Sequence, residues 1–228
     1  MPAEGVPVIA VDGPGGAGKG TVCRALATRL GWHLLDSGAL YRLVALAALR
    51  AGIDLDNESQ VADEARRLPV VFGADGRISL AGEDATDAIR DEACSQGASR
   101  VAALPAVRAA LVARQRAFRR PPGLVADGRD MGSVIFPDAE LKVFLTASDD
   151  ERARRRYKQL KEKGIDVRFA RLSEELGERD RRDAARGVAP LKALPDSRHL
   201  DTTGLSIDAV VAQVMGWADE ACPQLKLS

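Results

Sequence analysis

Apolar residues along this chain gather in short runs, and most runs stop at a cluster of small, acidic or hydroxyl residues. Residues 8–11 close on Asp12-Gly13, as a buried strand opening into a glycine loop would. Over residues 19–30 the apolar positions Val22, Leu26 and Leu30 recur every four residues, which predicts a helix that stops at Gly31. Residues 32–35 form a second apolar segment ahead of Asp36-Ser37-Gly38. A helix follows it, with Leu40, Leu43, Val44 and Ala47 on one face, and ends near Gly52. Residues 124–126 and 141–145 read as further core strands, closing on Asp127-Gly128 and near Thr146. A last one, His199-Leu200, runs into Asp201-Thr202 and then into a helix from Ser206 to about Ala221. Strand and helix alternate, and polar residues collect just after the strands. The pattern predicts an α/β fold, a doubly wound parallel sheet of about five strands with ligands beyond the carboxyl ends of the strands.

Residues 68–89 break that rhythm. They read as short β-like pieces at 69–72, 77–80 and 83–86, separated by turn signals at Gly73-Ala74-Asp75-Gly76 and Ala81-Gly82. The prediction is a small antiparallel β insertion at about 68–100, a core of residues 1–67, 101–150 and 190–228, and a basic helical lid at about 151–189.

Bulk composition narrows the class. With 228 residues, 46% hydrophobic and 29% charged, the chain can bury a core without disulfides. Cys23, Cys94 and Cys222 are odd in number and lack metal-like spacing, so they read as reduced thiols. The formal net charge of zero gives no general attraction to nucleic acid or membrane. No apolar run approaches the ~18 residues of a membrane span, and residues 1–7 lack the positive flank of a signal peptide. The expected location is the cytoplasm, and the expected state is a monomer.

The chemistry begins at Gly13-Pro14-Gly15-Gly16-Ala17-Gly18-Lys19-Gly20-Thr21, placed after the first strand and opening the first helix. Glycines let a backbone wrap closely round an anion and present its N–H groups, and a helix N-terminus adds partial positive charge. Lys19 would reach the β- and γ-phosphates of a bound nucleotide and Thr21 would hold Mg²⁺. Gly20 stands directly after the lysine, so the hydroxyl comes one residue later than in the commonest form of this loop. The fold class is therefore the phosphate-loop NTPase type. Neither an N-K-x-D segment for reading guanine nor an L-S-G-G-Q-like transporter segment is present.

Arginine is plentiful instead. Residues 151–192 hold fourteen Arg or Lys against eight Asp or Glu, a net of +6 in a chain whose total is zero. Phosphoryl transfer works mainly by positioning and charge stabilisation, with arginine as the bidentate tool. Most of the run Arg152, Arg154, Arg155, Arg156, Lys158, Lys161 and Lys163 reads as a solvated helix face. Arg179, Asp183 and Arg186 have spacings that put all three on one helix face, either as a surface ion-pair ladder or as a site. Asp127 is the natural acidic partner for Mg²⁺, with Asp12 as a competitor.

Several longer segments resemble the bacterial cytidylate kinase family over nearly the whole chain. They include Leu34-Leu35-Asp36-Ser37-Gly38-Ala39-Leu40-Tyr41-Arg42, Asp127-Gly128-Arg129-Asp130-Met131-Gly132 and Glu178-Arg179-Asp180. The resemblance implies transfer of the γ-phosphate of ATP to CMP or dCMP with Mg²⁺. It implies that Lys19, Arg129 and Arg186 act in catalysis, and that Ser37, Arg42, Arg129 and Arg186 hold the acceptor phosphate. It assigns Ser99, Arg108 and Asp130 to the cytosine, and Arg179 and Asp183 to the sugar. Rival readings are a kinase for another acceptor (adenylate, uridylate or shikimate), a nucleotide-binding switch, and a nucleic-acid-binding module. Against the last, Glu174, Glu175, Glu178, Asp180 and Asp183 interrupt the basic region, and aromatics make up only 4% of the chain.

Cytosine offers an N4 donor with N3 and O2 acceptors, which suits a carboxylate plus an arginine, whereas uracil presents an acceptor at position 4. A mismatched buried polar pair costs ~1–3 kcal/mol, so CMP should be preferred over UMP by roughly 10- to 100-fold. Asp130→Asn should erode that preference more than it slows turnover of ATP. Kinetics with the two acceptors check this, and an unchanged preference would remove Asp130 from the base site.

Overall fold

A computed structural model describes residues 5–73, 76–162 and 164–223. Of the residues singled out in the sequence, Met1, Ala74, Asp75 and Lys163 lie outside these. The chain divides into two compact units, Met1–Leu35 with Arg116–Ser228, and Asp36–Gln115. The second is wider than the insertion expected at 68–100, because helices on either side of its small sheet belong with it.

The first unit is built on strands β1 (Val8–Asp12), β2 (His33–Asp36), β6 (Leu124–Gly128), β7 (Leu141–Thr146) and β8 (Arg198–Asp201). Their order is β2-β6-β1-β7-β8. β1 runs parallel with β6 and β7, and β7 with β8. Every residue of β1 is buried, as its unbroken apolar run requires of a strand covered on both faces. Helices α1 (Lys19–Leu30) and α8 (Ile207–Ala221) pack on the sheet, and Val22, Leu26, Val210 and Val214 join Ile9, Val11, Val143 and Leu145 in one core. Ser206 caps α8, its hydroxyl accepting from the N–H of Ala209. The chain passes to β2 on one side of β1 and later to β7 on the other. The loop after β1 therefore leaves the sheet where the winding reverses, the place where doubly wound folds bind ligands.

The basic segment forms two helices, α6 (Asp149–Glu162) and α7 (Phe169–Ala184), joined in part by Tyr157 meeting Phe169 edge-on. Two expectations change here. Arg186 does not share a helix face with Arg179 and Asp183, because α7 ends at Ala184. Gly187 and Pro190 do not favour its continuation, and Leu191 donates back to the carbonyl of Asp183. The basic run is also not uniformly solvated. Arg154 and Lys158 face water, but Arg152 is buried and Arg155 is bonded to Thr202.

In the second unit, α2 (Ser37–Arg50), α3 (Glu58–Arg67), α4 (Glu92–Val101) and α5 (Pro105–Arg116) accompany an antiparallel sheet of β3 (Val70–Phe72), β4 (Ile78–Leu80) and β5 (Glu83–Asp84). Asp36 caps α2 by accepting from the N–H of Ala39, and Asn57 caps α3. Gly97 lets α4 come close, since a Cβ there would sit 3.2 Å from Ala45 on α2. Among the described residues no helix is long and apolar enough to cross a membrane.

Trp32 lies against Gly123 so closely that a Cβ at Gly123 would fall 2.3 Å from the indole ring. Gly123→Ala should therefore destabilise the protein by about 1–3 kcal/mol through overpacking. Gly216→Ala, inside α8 and facing open space, should leave stability unchanged or raise it. Urea unfolding of both variants checks the pair, and equal behaviour would contradict this packing.

Candidate active site

The glycine loop sits between β1 and α1, as the sequence pattern requires. Gly13 has φ +147°, and a Cβ there would lie 2.0 Å from the carbonyl oxygen of Leu145, so only glycine fits. A Cβ at Gly16 would likewise lie 2.9 Å from Cβ of Arg152. Lys19 is buried and donates from Nζ to the carbonyl of Pro14 at 2.9 Å. Burial, followed by the charge of Arg129, lowers its pKa to about 8.

Asp12 and Asp127 have different duties. Asp12 is buried, and its two carboxylate oxygens accept from the N–H groups of Met131 and Gly132, both at 2.9 Å. Burial outweighs those bonds and raises its pKa to about 6. Asp12 thus ties β1 to the turn at Met131–Ile135. Asp127, at the end of β6, lies 4.0 Å from Nζ of Lys19, and its Oδ2 would be 3.4 Å from a Cβ on Gly20. Thr21 is exposed in the first turn of α1.

Beyond β6, Arg129 donates from Nε to Asp183 Oδ2 at 3.0 Å and from Nη1 to the carbonyl of Gly128 at 3.0 Å. Arg186 meets the other oxygen of Asp183. Burial works against an ionised Asp183, but Arg129, Arg186 and Arg179 outweigh it and hold the carboxyl below its ordinary value. Burial likewise opposes the charged form of Arg129, and Asp183 and Asp127 more than compensate. Asp130 is buried next to Arg129, and its carbonyl accepts from Val134 and Ile135. The structure therefore brings Lys19, Asp127, Arg129, Arg179, Asp183 and Arg186 into one charged network.

The sequence-predicted residues of the second unit form their own group. Ser37 is buried at the first position of α2, and Arg42 reaches back to Asp36 at 2.9 Å. Arg108 on α5 is buried, donates to the carbonyl of Ala102 at 3.1 Å and lies 5.6 Å over the ring of Tyr41. Ser99 on α4 is 2% exposed, and its hydroxyl has no hydrogen-bond partner among the described residues. A buried hydroxyl left so is a polar group awaiting a partner.

Sequence reasoning missed Arg152 and Thr202, both of which touch the loop. Arg152 donates to the carbonyl of Gly15 at 2.9 Å, and the hydroxyl of Thr202, with one proton to give, lies between the carbonyls of Ala17 at 3.1 Å and Thr146 at 2.9 Å. Thr202 could have been found from its place just beyond β8, at the carboxyl end of the sheet. Arg152 carried no such signal inside a run of basic residues. His33 and His199 are both exposed, the first against the carbonyl of Pro121 and the second against Phe144, and neither joins this network. The three cysteines are buried and form no disulfide.

A glycine loop at the switch of a parallel sheet, a lysine at its end and arginines gathered beside it define a phosphate-loop kinase. A family model described as "Cytidylate kinase" matches residues 9–220, and the chain belongs to that family. It is 62% identical to the cytidylate kinase of Pseudomonas aeruginosa (strain UCBPP-PA14) over 92% of this chain and 94% of that protein. It is 55% identical to that of Aeromonas salmonicida (strain A449), over 94% of each. Identity to that of Azotobacter vinelandii (strain DJ / ATCC BAA-1303) is 59%, over 91% of this chain and 93% of the other.

A lysine that binds phosphate does so as the ammonium, and burial depresses the pKa of Lys19, so a role for Lys19 in holding the donor makes a prediction about pH. The kcat/KM for ATP should therefore fall as pH rises through about 8, while kcat at saturating ATP persists to higher pH because bound phosphate favours the cation. Initial rates from pH 6 to 10 check this. A kcat/KM that stays flat across the range would contradict the burial of Lys19.

Proposed function

We propose that this protein transfers the γ-phosphate of ATP to CMP or dCMP, giving ADP and CDP or dCDP. The observation that carries the reading is the joining of a phosphate loop to two arginines held on one buried carboxylate, Arg129 and Arg186 on Asp183, in a chain of the cytidylate kinase family.

In this reading the N–H groups of residues 13–21 and Lys19 bind the phosphates of ATP. Ser37, Arg42, Arg129 and Arg186 hold the acceptor phosphate. That phosphate is ionised at neutral pH and is itself the nucleophile, so no general base is required. Lys19, Arg129 and Arg186 stabilise the charge that spreads over the transferred group. Ser99, Arg108 and Asp130 read the cytosine, and the free hydroxyl of Ser99 supports its part in this. Arg179 and Asp183 contact the sugar. Residues 151–189 act as a lid that excludes water, the competing acceptor.

Thr21 and Asp127 offer a hydroxyl and a carboxylate, hard oxygen donors of the kind Mg²⁺ prefers, and Gly20 leaves room beside Asp127. With both oxygens of Asp12 engaged by backbone N–H groups, Asp127 is the better-placed acid. Bound there, Mg²⁺ would neutralise charge on the donor phosphates. No cluster of three His, Cys, Asp or Glu able to hold a metal occurs among the described residues, which suits an ion whose other ligands are phosphates and water. We place the protein in the cytoplasm as a monomer; its three buried thiols, none in a disulfide, suit a reducing compartment.

Rates of ADP formation from Mg·ATP with CMP, dCMP, UMP, AMP, GMP or shikimate test the proposal. Turnover should be fast with CMP and dCMP and at least about 10-fold slower with the others. Fast turnover with another acceptor instead would overturn the cytosine assignment, and nucleotide binding without transfer to any acceptor would favour a switch.

A further inference from the structure

The N–H groups of a phosphate loop serve as anion donors only if its peptide planes are held at the right rotation, and the carbonyls on the same planes are the handles. Three of those carbonyls face side chains: Pro14 meets Lys19 at the far end of the loop itself, Gly15 meets Arg152 from α6, and Ala17 lies 3.1 Å from the hydroxyl of Thr202. The peptides involved are trans, so each bound carbonyl points its partner N–H, on the next residue, the opposite way. A grip on the Gly15 carbonyl is therefore a grip on the direction of the Gly16 N–H.

Arg152 is built for such a grip. It is 4% exposed, and its stem packs against Gly16. Nη1 is 2.9 Å from the carbonyl oxygen of Gly15 and 2.6 Å from Asp180 Oδ2, and Nη2 is 2.5 Å from Asp149 Oδ1. Asp149 opens α6 and is exposed, whereas Asp180 belongs to α7, the helix that carries Arg179 and Asp183. One planar guanidinium thus joins a loop carbonyl to two carboxylates. A lysine ammonium cannot reproduce that fork.

We infer that Arg152 is a positioning residue for the phosphate donor: through the Gly15–Gly16 peptide it aims the Gly16 N–H at the donor phosphates, and through Asp180 it ties that aim to α7. The inference rests on the donor-binding role assigned to the loop under the proposed function. Arg152 itself contacts the loop and need not contact the nucleotide. Its loss should therefore weaken the binding of Mg·ADP and spare the binding of CMP.

Isothermal titration calorimetry of Mg·ADP and, separately, of CMP tests this in the wild type, Arg152→Gln and Arg152→Lys, with thermal unfolding of each variant alongside. Arg152→Gln should weaken Mg·ADP about 10-fold or more, as the loss of a charge-assisted hydrogen bond would, with CMP affinity within about twofold of wild type. Arg152→Lys keeps a donor for the Gly15 carbonyl and should fall between, with a loss of about threefold. If Arg152→Gln does not fold, Arg152→Lys decides, because a selective loss for Mg·ADP supports the role and unchanged affinity overturns it. Parallel weakening of both ligands also overturns it, since that is the mark of a general structural defect. A wild type that fails to bind Mg·ADP would contradict the donor-loop reading itself, a result distinct from any failure confined to the variants.

Discussion

Buried positive charge has to be answered by negative charge, and the first unit of this protein is organised by that constraint. A buried cation without a partner costs several kcal/mol. Lys19, Arg129, Arg186 and Arg152 are all drawn in around the phosphate loop, and carboxylates on separate elements meet them. Asp127 comes from the end of β6, and Asp180 and Asp183 from α7. Because Asp183 takes Arg129 on one oxygen and Arg186 on the other, the arginine after β6 and the arginine past α7 are fixed to the same point. Under the proposed function the network would set these side chains before chemistry begins, which is how electrostatic stabilisation avoids reorganisation in the transition state.

The parallel sheet supplies the frame. A strand buried on both faces must be apolar throughout, so polar chemistry can start only where the strand ends. Asp12 and Asp127 sit at such ends, and Thr202 follows the more exposed edge strand β8. Asp12 gives its carboxylate to the backbone beyond β6 and joins neighbouring strand ends, leaving Asp127 nearer the lysine. Two carboxylates with similar sequence surroundings thus acquire different work from their burial and hydrogen bonding.

Much of this was legible in the sequence. The apolar runs foretold the five strands of the parallel sheet, and Val22 with Leu26 foretold α1, because a strand covered on both faces such as β1 leaves an unbroken apolar run and a helix packed on one side leaves a spacing of three to four. Helices α3 and α4 offered few large apolar residues to read: α3 buries Val61, Ala62 and Ala65, and α4 buries Cys94 and Ala98 and uses Gly97 for close approach. The spacing of Arg179, Asp183 and Arg186 pointed to one helix face, as an ion-pair ladder or as a site, and the shared face is what the structure overturns. Arg186 reaches Asp183 from beyond the helix end, which spacing cannot distinguish from a further turn. Arg152 was hidden among arginines that do face solvent, since composition does not report which member of a basic run turns inward.

The most direct test of the account is to follow the terminal phosphate itself. ATP labelled with ³²P in the γ position would be incubated with the protein, Mg²⁺ and CMP, and the products separated by anion exchange. The account predicts that the label appears in CDP in proportion to the ADP formed. Label released as inorganic phosphate, or retained in ATP, would contradict it.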